Sequence, residues 1–288
     1  MYFTAFFRLC PIPTSEKTVI LFLEFMARTV HYDHLKHLLA SITFMHVAMD
    51  YPFPSDSFQI SNTLQGLKRR LAKVPFRVLP ITPSIMRRMH SLLDMGRTED
   101  LALWCSFLTA FYGLLRKSST VPKLRNDPSK SLLRRHVKVD GENNMVLLYL
   151  GYGKTNNFCT RDVIIPIPGN QDPALDIVRH LSALFQKIRV GQDKPAFSYS
   201  SKQCITYVTF TKRLKQLLVA AGLSPELFSG HSFRRGGATF LHDCGGTALM
   251  VQASGDWTSQ CFTRYLYLTE AQRLMSQRLM MSRINSQV

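Results

Sequence analysis

The sequence has few of the features that mark secreted, zinc-binding or membrane proteins. Its six cysteines are scattered and form no Cys-x-x-Cys pair, so the sequence predicts no zinc site and favours reduced thiols inside a cell. The longest apolar run, from Val19 to Ala27, contains Glu24 and is too short to cross a bilayer. Residues 1–10 lack the charged and apolar segments of a signal peptide. We therefore expect no membrane contact and a location in the cytoplasm or the nucleus.

Acidic residues are also scarce. The 288 residues include 19 Asp and Glu against 36 Lys and Arg, a formal net charge of +17. Such an excess predicts a polyanionic partner, most often nucleic acid. The alternative is a basic surface without a specific ligand. Hydrophobic residues make up 45% of the chain, so it can form a core and is not expected to be disordered.

The apolar periodicity is mainly helical. The proline-rich segment 74–84 predicts a linker, which gives a helical domain at residues 1–77 and a second domain at 78–288. A long apolar helix is predicted from Glu99 to about Arg116. Two apolar runs, Met145–Tyr152 and Val163–Ile167, flank a Gly- and Asn-rich segment and predict a β-hairpin near whose tip Lys154 lies. The expected fold is mainly α with a small β-hairpin or sheet.

A basic run ends the third predicted helix, at about residues 58–72, and consists of Lys68, Arg69, Arg70 and the following Lys73. One interpretation is favourable interaction with the negative end of the helix dipole on a solvated face. The other is contact with DNA phosphates. The sequence leaves both open.

Six residues are weak evidence one by one, but their order along the chain is informative. They are Arg116 in "FYGLLRKSS", Lys154 in the hairpin, His231 and Arg234 as a His-x-x-Arg pattern at the start of a helix, Trp257 in "SGDWTS" and Tyr265 in "CFTRYLYLT". This set resembles the tyrosine recombinase/integrase family. The segments "LLRKSSTVP", "YGKTNNF" and "GDWTSQCFTRYLY" are most similar to the eukaryotic branch of this family, which DIRS-type and Crypton mobile elements carry. The resemblance spans nearly the whole chain and is strongest from Ile81 to about Thr269.

The resemblance implies a helical core-binding (SAM-like) domain, shorter at its N-terminus than usual, followed by a catalytic domain of the DNA breaking-rejoining fold. Tyr265 would attack a phosphodiester of double-stranded DNA and form a 3′-phosphotyrosine. Arg116 and Arg234 would bind the developing negative charge, and His231 would assist proton transfer or donate a hydrogen bond to the phosphate. Lys154 would protonate the leaving 5′ oxygen, and Trp257 would orient the phosphate. No metal or other cofactor is implied.

Further residues extend this interpretation. Arg235, next to Arg234, is a candidate DNA contact. The last predicted helix carries an apolar stripe that either packs on its own domain or docks on a neighbouring subunit, as in a tetramer on two DNA sites. His242 and Cys244 lie close together in sequence, but without a second pair they do not predict a metal site.

The sequence departs from the family pattern at three places. Ser119 stands where many relatives carry an acidic residue, three positions after Arg116. Asp256 occupies the usual His position, and Trp257 follows it as the candidate substitute. Tyr267 competes with Tyr265 as nucleophile, although its position is on another helix face.

These observations favour a site-specific DNA recombinase that integrates or excises a mobile element in the nucleus. A domesticated or inactive DNA-binding derivative is a second hypothesis, to which Ser119 and the short N-terminus point. A type IB topoisomerase-like enzyme, which would relax supercoils as a monomer, is a third, and a basic helical scaffold is a fourth.

Overall fold

The computed structural model describes residues 2–53, 57–71, 78–124, 131–150, 163–257, 262–263, 278 and 281. Within them the chain is mainly helical with one three-stranded sheet, as the sequence predicts. The chain divides into two compact units, residues 1–76 and 77–288. The assignment of a DNA-binding domain to residues 1–77 and of a catalytic domain to 78–288 stays a prediction.

The first unit contains four described helices. They are α1 (Tyr2–Phe6), α2 (Glu16–Met26), α3 (Tyr32–Ala48) and α4 (Phe58–Arg70). Serine hydroxyls cap the N-termini of two of them. The Ser15 hydroxyl accepts from the Thr18 N–H at α2, and the Ser57 hydroxyl accepts from the Ile60 N–H at α4. The buried core of this unit draws on α2, α3 and α4 and consists of Val19, Leu23, Ala27, Leu35, Ile60 and Leu67.

The second unit carries the remaining described α-helices and the three strands. They are α5 (Pro83–His90), α6 (Thr98–Tyr112), α7 (Lys117–Thr120), β1 (Val137–Asp140), β2 (Met145–Leu150), β3 (Val163–Pro168), α8 (Ile177–Lys187), α9 (Tyr207–Ala220), α10 (His231–Asp243) and α11 (Ala248–Ser254). Every residue of α6 from Asp100 to Phe111 is buried. This helix is therefore the centre of the core, as its all-round apolar sequence predicts.

The second unit contains one antiparallel sheet, which packs against α8. The strand order is β1-β2-β3, with Leu148 paired to both Val137 and Ile165. α8 packs against α6 and all three strands. The strands β2 and β3 agree with the predicted hairpin, whereas β1 was not predicted. The hairpin segment 151–162, with Lys154, lies outside the described residues.

α9 and α10 pack on α6 through aromatic rings. The Phe107 ring of α6 stacks on Phe233 of α10, with 4.7 Å between ring centroids, and meets Phe210 of α9 edge-on at 4.8 Å. Such pairs add to the area they bury. The contact fixes α10 against the middle of α6, which in turn positions the first turn of α10.

The prediction that Arg116 ends the long apolar helix is wrong. α6 ends at Tyr112, and Leu114 has a left-handed backbone with φ of 48°. Because such a conformation cannot continue a right-handed helix, the chain turns before Arg116. Arg116 then precedes the short helix α7 as its N-cap residue.

Candidate functional site

Two glycines let α10 approach its neighbours closely. A Cβ atom on Gly236 would lie 1.8 Å from the Ile81 carbonyl oxygen, and one on Gly237 would lie 2.2 Å from the Phe111 carbonyl oxygen. The Ile81 N–H also donates to the Ser232 carbonyl, at 2.9 Å. Only residues without a Cβ fit at both positions. The glycine pair therefore brings α10 against the end of α6, where Arg116 follows.

Arg234 lies in the interior at that junction. Its side chain is 2% exposed, and its guanidinium donates to the Leu114 carbonyl and, at 2.9 Å, to the Gly255 carbonyl. Its central carbon Cζ lies 3.9 Å from the centroid of the Trp257 ring. The hydrogen bonds and the ring contact fix the plane of the guanidinium. A site that binds a charged group in a single geometry needs such a fixed plane.

The turn after α11 holds Trp257 in this contact. Trp257 is 4% exposed and packs with Phe262, and a Cβ atom on Gly255 would lie 1.8 Å from the indole ring. Asp256 between them has φ of 50°, a conformation that Asp tolerates better than most residues. The ring face of Trp257 therefore covers Arg234. Its predicted role of orienting the phosphate stays a prediction.

His231 and Arg116 lie at the open end of the same junction. His231 is the first residue of α10 and is exposed, while Arg116 is half-buried. The pKa of His231 is lowered, first because the surrounding protein removes water from one side of the ring, then by the positive charges of Arg116, Arg234 and Lys117. His231 therefore favours its neutral form, which can accept a proton.

Lys117 belongs to this group, although the sequence analysis did not single it out. Its ammonium lies 2.7 Å from the Thr211 hydroxyl oxygen and 3.4 Å from the centroid of the Tyr207 ring. A Cβ atom on Gly230 would lie 2.8 Å from its Cδ. The signal in the sequence was its place directly after Arg116, at the start of a helix that the sequence did not predict.

The structure thus brings together four of the six predicted catalytic residues: Arg116, His231, Arg234 and Trp257. Lys154, Tyr265 and the alternative Tyr267 lie outside the described residues. Their positions relative to the site, and all six catalytic roles, stay predictions.

The candidate DNA contacts fall into two groups. Lys68, Arg69 and Arg70 are exposed at the end of α4, where Arg70 pairs with Glu24 at 2.6 Å; Lys73 lies outside the described residues. Arg235, in contrast, is 5% exposed and donates to the Val78 carbonyl at 3.1 Å. The contact of Arg235 with DNA stays a prediction.

The described helices lack the length and the apolar character that a membrane-spanning helix needs. No three or more His, Cys, Asp or Glu side chains in the described residues, His242 and Cys244 included, come together as a candidate metal site.

Comparison with solved structures identifies the fold. The chain is similar to the XerH site-specific recombinase bound to palindromic difH substrate, with a TM-score of 0.58 and 14% identity over 92% of this chain and 69% of that one. It is also similar to the Tn1549 transposon integrase in complex with transposon right end DNA, with a TM-score of 0.57 and 16% identity over 94% and 87% of the two chains. A third relative is a lambda integrase dimer bound to a COC′ core site, with a TM-score of 0.55 and 14% identity over 86% and 63%.

No protein-family model matches the sequence, and no curated protein matches it. At identities of 14–16% the structural likeness concerns the fold. The mostly helical chain with its small antiparallel sheet has the fold of the tyrosine recombinase catalytic domain.

Proposed function

We propose that this protein is a site-specific DNA strand transferase that cuts and rejoins double-stranded DNA through a 3′-phosphotyrosine. The observation that carries the proposal is the junction of α6, α7 and α10, where Arg116, His231 and the buried Arg234 converge in a recombinase fold. A buried guanidinium with a fixed plane, beside a second guanidinium and a neutral imidazole, suits a phosphodiester that gains negative charge during transfer.

In the proposed reaction the phenol oxygen of Tyr265 attacks phosphorus. A new bond from the phenol oxygen to phosphorus replaces the bond to the 5′ oxygen, so no bond energy is lost to water. His231 receives the phenol proton, Lys154 gives a proton to the leaving 5′ oxygen, and Arg116 and Arg234 bind the non-bridging oxygens. Rejoining reverses these steps with a different 5′ hydroxyl.

The proposed partner is a DNA duplex, which the charge of +17 would attract. The solved relatives named above are described as bound to their DNA sites. The finer parts of the proposal rest on sequence resemblance: a DIRS- or Crypton-type mobile element as the source, integration or excision as the task, the nucleus as the location, and a homotetramer linked through the C-terminal helix.

Covalent trapping tests the proposal. Purified protein is mixed with nicked or bulged duplexes that include the ends of the element encoding it, and adducts are separated on a denaturing gel. The proposal predicts an adduct that is lost in Tyr265→Phe and kept in Tyr267→Phe. The reverse pattern would keep the reaction and move the nucleophile to Tyr267.

Two other outcomes separate the alternatives. Salt-sensitive binding of the same duplexes with no adduct would identify a DNA-binding derivative and contradict the strand-transferase proposal. Relaxation of supercoiled plasmid by the monomer, without paired sites, would identify topoisomerase-like chemistry instead. A single assay series with the wild type and both Tyr variants gives these answers.

A further inference from the structure

Lys117 is held in a setting that packing alone does not explain. Its ammonium lies over the Tyr207 ring and against the Thr211 hydroxyl, both on α9. In the described part of the chain it forms no ion pair with a carboxylate. An aromatic face and a hydroxyl partly compensate the loss of water around a cation, but they leave its charge unneutralised.

The surroundings make that charge unfavourable for stability. Arg116 is the preceding residue, Arg234 and Lys117 both act on His231, and the N-terminus of α10 adds its own partial positive charge. Like charges gathered in this way repel one another unless an anion joins them. An apolar residue of similar length would fill the same space without that repulsion.

The side chain is also tied to the position of His231. Its stem crosses Gly230, the N-cap residue of α10, at a distance that excludes a Cβ atom there. Gly230 directly precedes His231. Lys117 therefore links α7, α9 and the first turn of α10.

We propose that Lys117 is a positioning residue of the strand-transfer site: its ammonium, anchored on Tyr207 and Thr211, holds the first turn of α10 and with it His231. Its charge, added to those of Arg116 and Arg234, also disfavours protonation of the His231 ring. The inference rests on the proposed function and adds a residue to it. Among the described residues, the charged groups that lower the pKa of His231 are Arg116, Arg234 and Lys117, all cations. Removing one of them therefore makes protonation of His231 easier.

The decisive test is an NMR titration of the His231 ring in the full chain, assigned with His231→Gln. Lys117→Met keeps the stem and removes the charge, and the pKa of His231 is expected to rise. Lys117→Arg keeps the charge and the lowered pKa. Lys123→Met removes the same charge from an exposed residue later in the same segment and is expected to leave the His231 titration unchanged.

Adduct formation on the duplexes described above gives a second readout. Because a protonated His231 cannot accept the Tyr proton, the acid limb of the rate profile is expected to move to higher pH in Lys117→Met. On that limb the rate falls by roughly 3- to 10-fold, the range that one nearby unit charge supplies in a solvent-exposed setting. A purely structural role would slow Lys117→Met and Lys117→Arg at all pH values alike.

An unchanged His231 titration in folded Lys117→Met protein would overturn the inference, whatever the adduct assay gives. A raised pKa with no adduct even in the wild type would instead overturn the strand-transferase proposal and support the coupling of Lys117 to His231. If Lys117→Met does not fold, Lys117→Gln carries the same test.

Discussion

Two helices of this protein combine glycine with a run of basic residues, but one helix exposes these basic residues and the other buries them. In α4, Gly66 precedes Lys68, Arg69 and Arg70, and all four are exposed. In α10, Arg234 and Arg235 precede two glycines and are buried. The local sequences are alike in composition, so composition does not decide whether a cation faces solvent or the interior. What differs is whether the glycine faces open space or another backbone.

The largest effect is expected from filling the glycine positions. A Cβ atom on Gly236 would lie 1.8 Å from a backbone oxygen, so Gly236→Ala must displace α10 or the Ile81 segment. We expect the free energy of unfolding of the second unit to fall by at least about 3 kcal/mol, although Ala is intrinsically the better helix former. Urea denaturation followed by circular dichroism measures the loss.

The matched control is Gly66→Ala in α4, where no atom lies within 4 Å of the added Cβ. That change is expected to stabilise the first unit by up to about 1 kcal/mol, because Ala lowers the backbone entropy of the unfolded chain. Equal changes in the free energy of unfolding at both sites would contradict the difference inferred between the two helices.

The second largest effect is expected from the buried guanidinium. Arg234→Met removes the donors to the Leu114 and Gly255 carbonyls and the stack on Trp257, which leaves buried acceptors unsatisfied. We expect a loss of about 2–4 kcal/mol, from the desolvation of those groups and the lost charged hydrogen bonds. Arg69→Met, at an exposed Arg of α4, is expected to change stability by less than about 0.5 kcal/mol. A loss of that small size in Arg234→Met would mean that the bonds to the carbonyls do not hold α10 in place.

The burial of these arginines could not be predicted from the sequence. The His-x-x-Arg pattern and its helix were predictable from the sequence. The helix follows from the local spacing of apolar residues and from the glycines that end it. The partner of Arg235 was not: its bond to the Val78 carbonyl joins residues 157 positions apart. Only the packed structure specifies such contacts, so an Arg that the sequence analysis assigned to DNA lies against a backbone carbonyl.

The predicted boundaries of helices and strands were wrong where backbone conformation overrides the periodicity of the side chains. The apolar pattern runs past Tyr112, yet the left-handed Leu114 ends the helix and gives Arg116 and Lys117 a helix of their own. β1 was missed because its four residues are too few for a clear alternation. The unusual Gly-Gly pair inside a helix was the available sign of a close backbone approach.

A smaller effect is expected from the histidine pair of His90, which is partly buried, and His180, which is buried. Unlike arginine, histidine can lose its charge near neutral pH. In α5 and α8, His90 and His180 place their Nε2 atoms 3.3 Å apart. The His180 Nδ1 lies 2.8 Å from the Asp176 carbonyl and must donate to it, so its Nε2 accepts from His90. Burial lowers the pKa of both rings, and for His90 the neighbouring His180 lowers it further.

The sign of the pH dependence follows from these shifts. Below about pH 6.5 the unfolded chain binds protons that the folded pair does not, so stability is full above that pH and is lost as the pH falls. Urea titrations from neutral to acidic pH are expected to show this slope, and His90→Gln, which keeps a donor to His180, is expected to reduce it. An identical slope in the variant would assign the acid sensitivity to other groups.

The smallest effect on stability, and the one that decides between the two interpretations of α4, concerns its exposed basic run. The double variant Lys68→Gln with Arg69→Gln should change the free energy of unfolding by no more than about 0.5 kcal/mol, because both side chains are in solvent. Arg70 is left intact because it already pairs with Glu24. If both residues contact phosphates, the slope of log affinity against log salt for a duplex becomes shallower by about 2.

The control removes the same charge from the exposed Lys123 and Lys202 in the second unit. A slope that falls equally in both double variants would mean that only net charge attracts DNA. An unchanged slope in the α4 variant, with a stability loss of a few tenths of a kcal/mol, would leave helix-dipole compensation as the role of the run. A slope that falls only in the α4 variant would make this helix a DNA-contacting surface, because only there would counterion release depend on particular side chains.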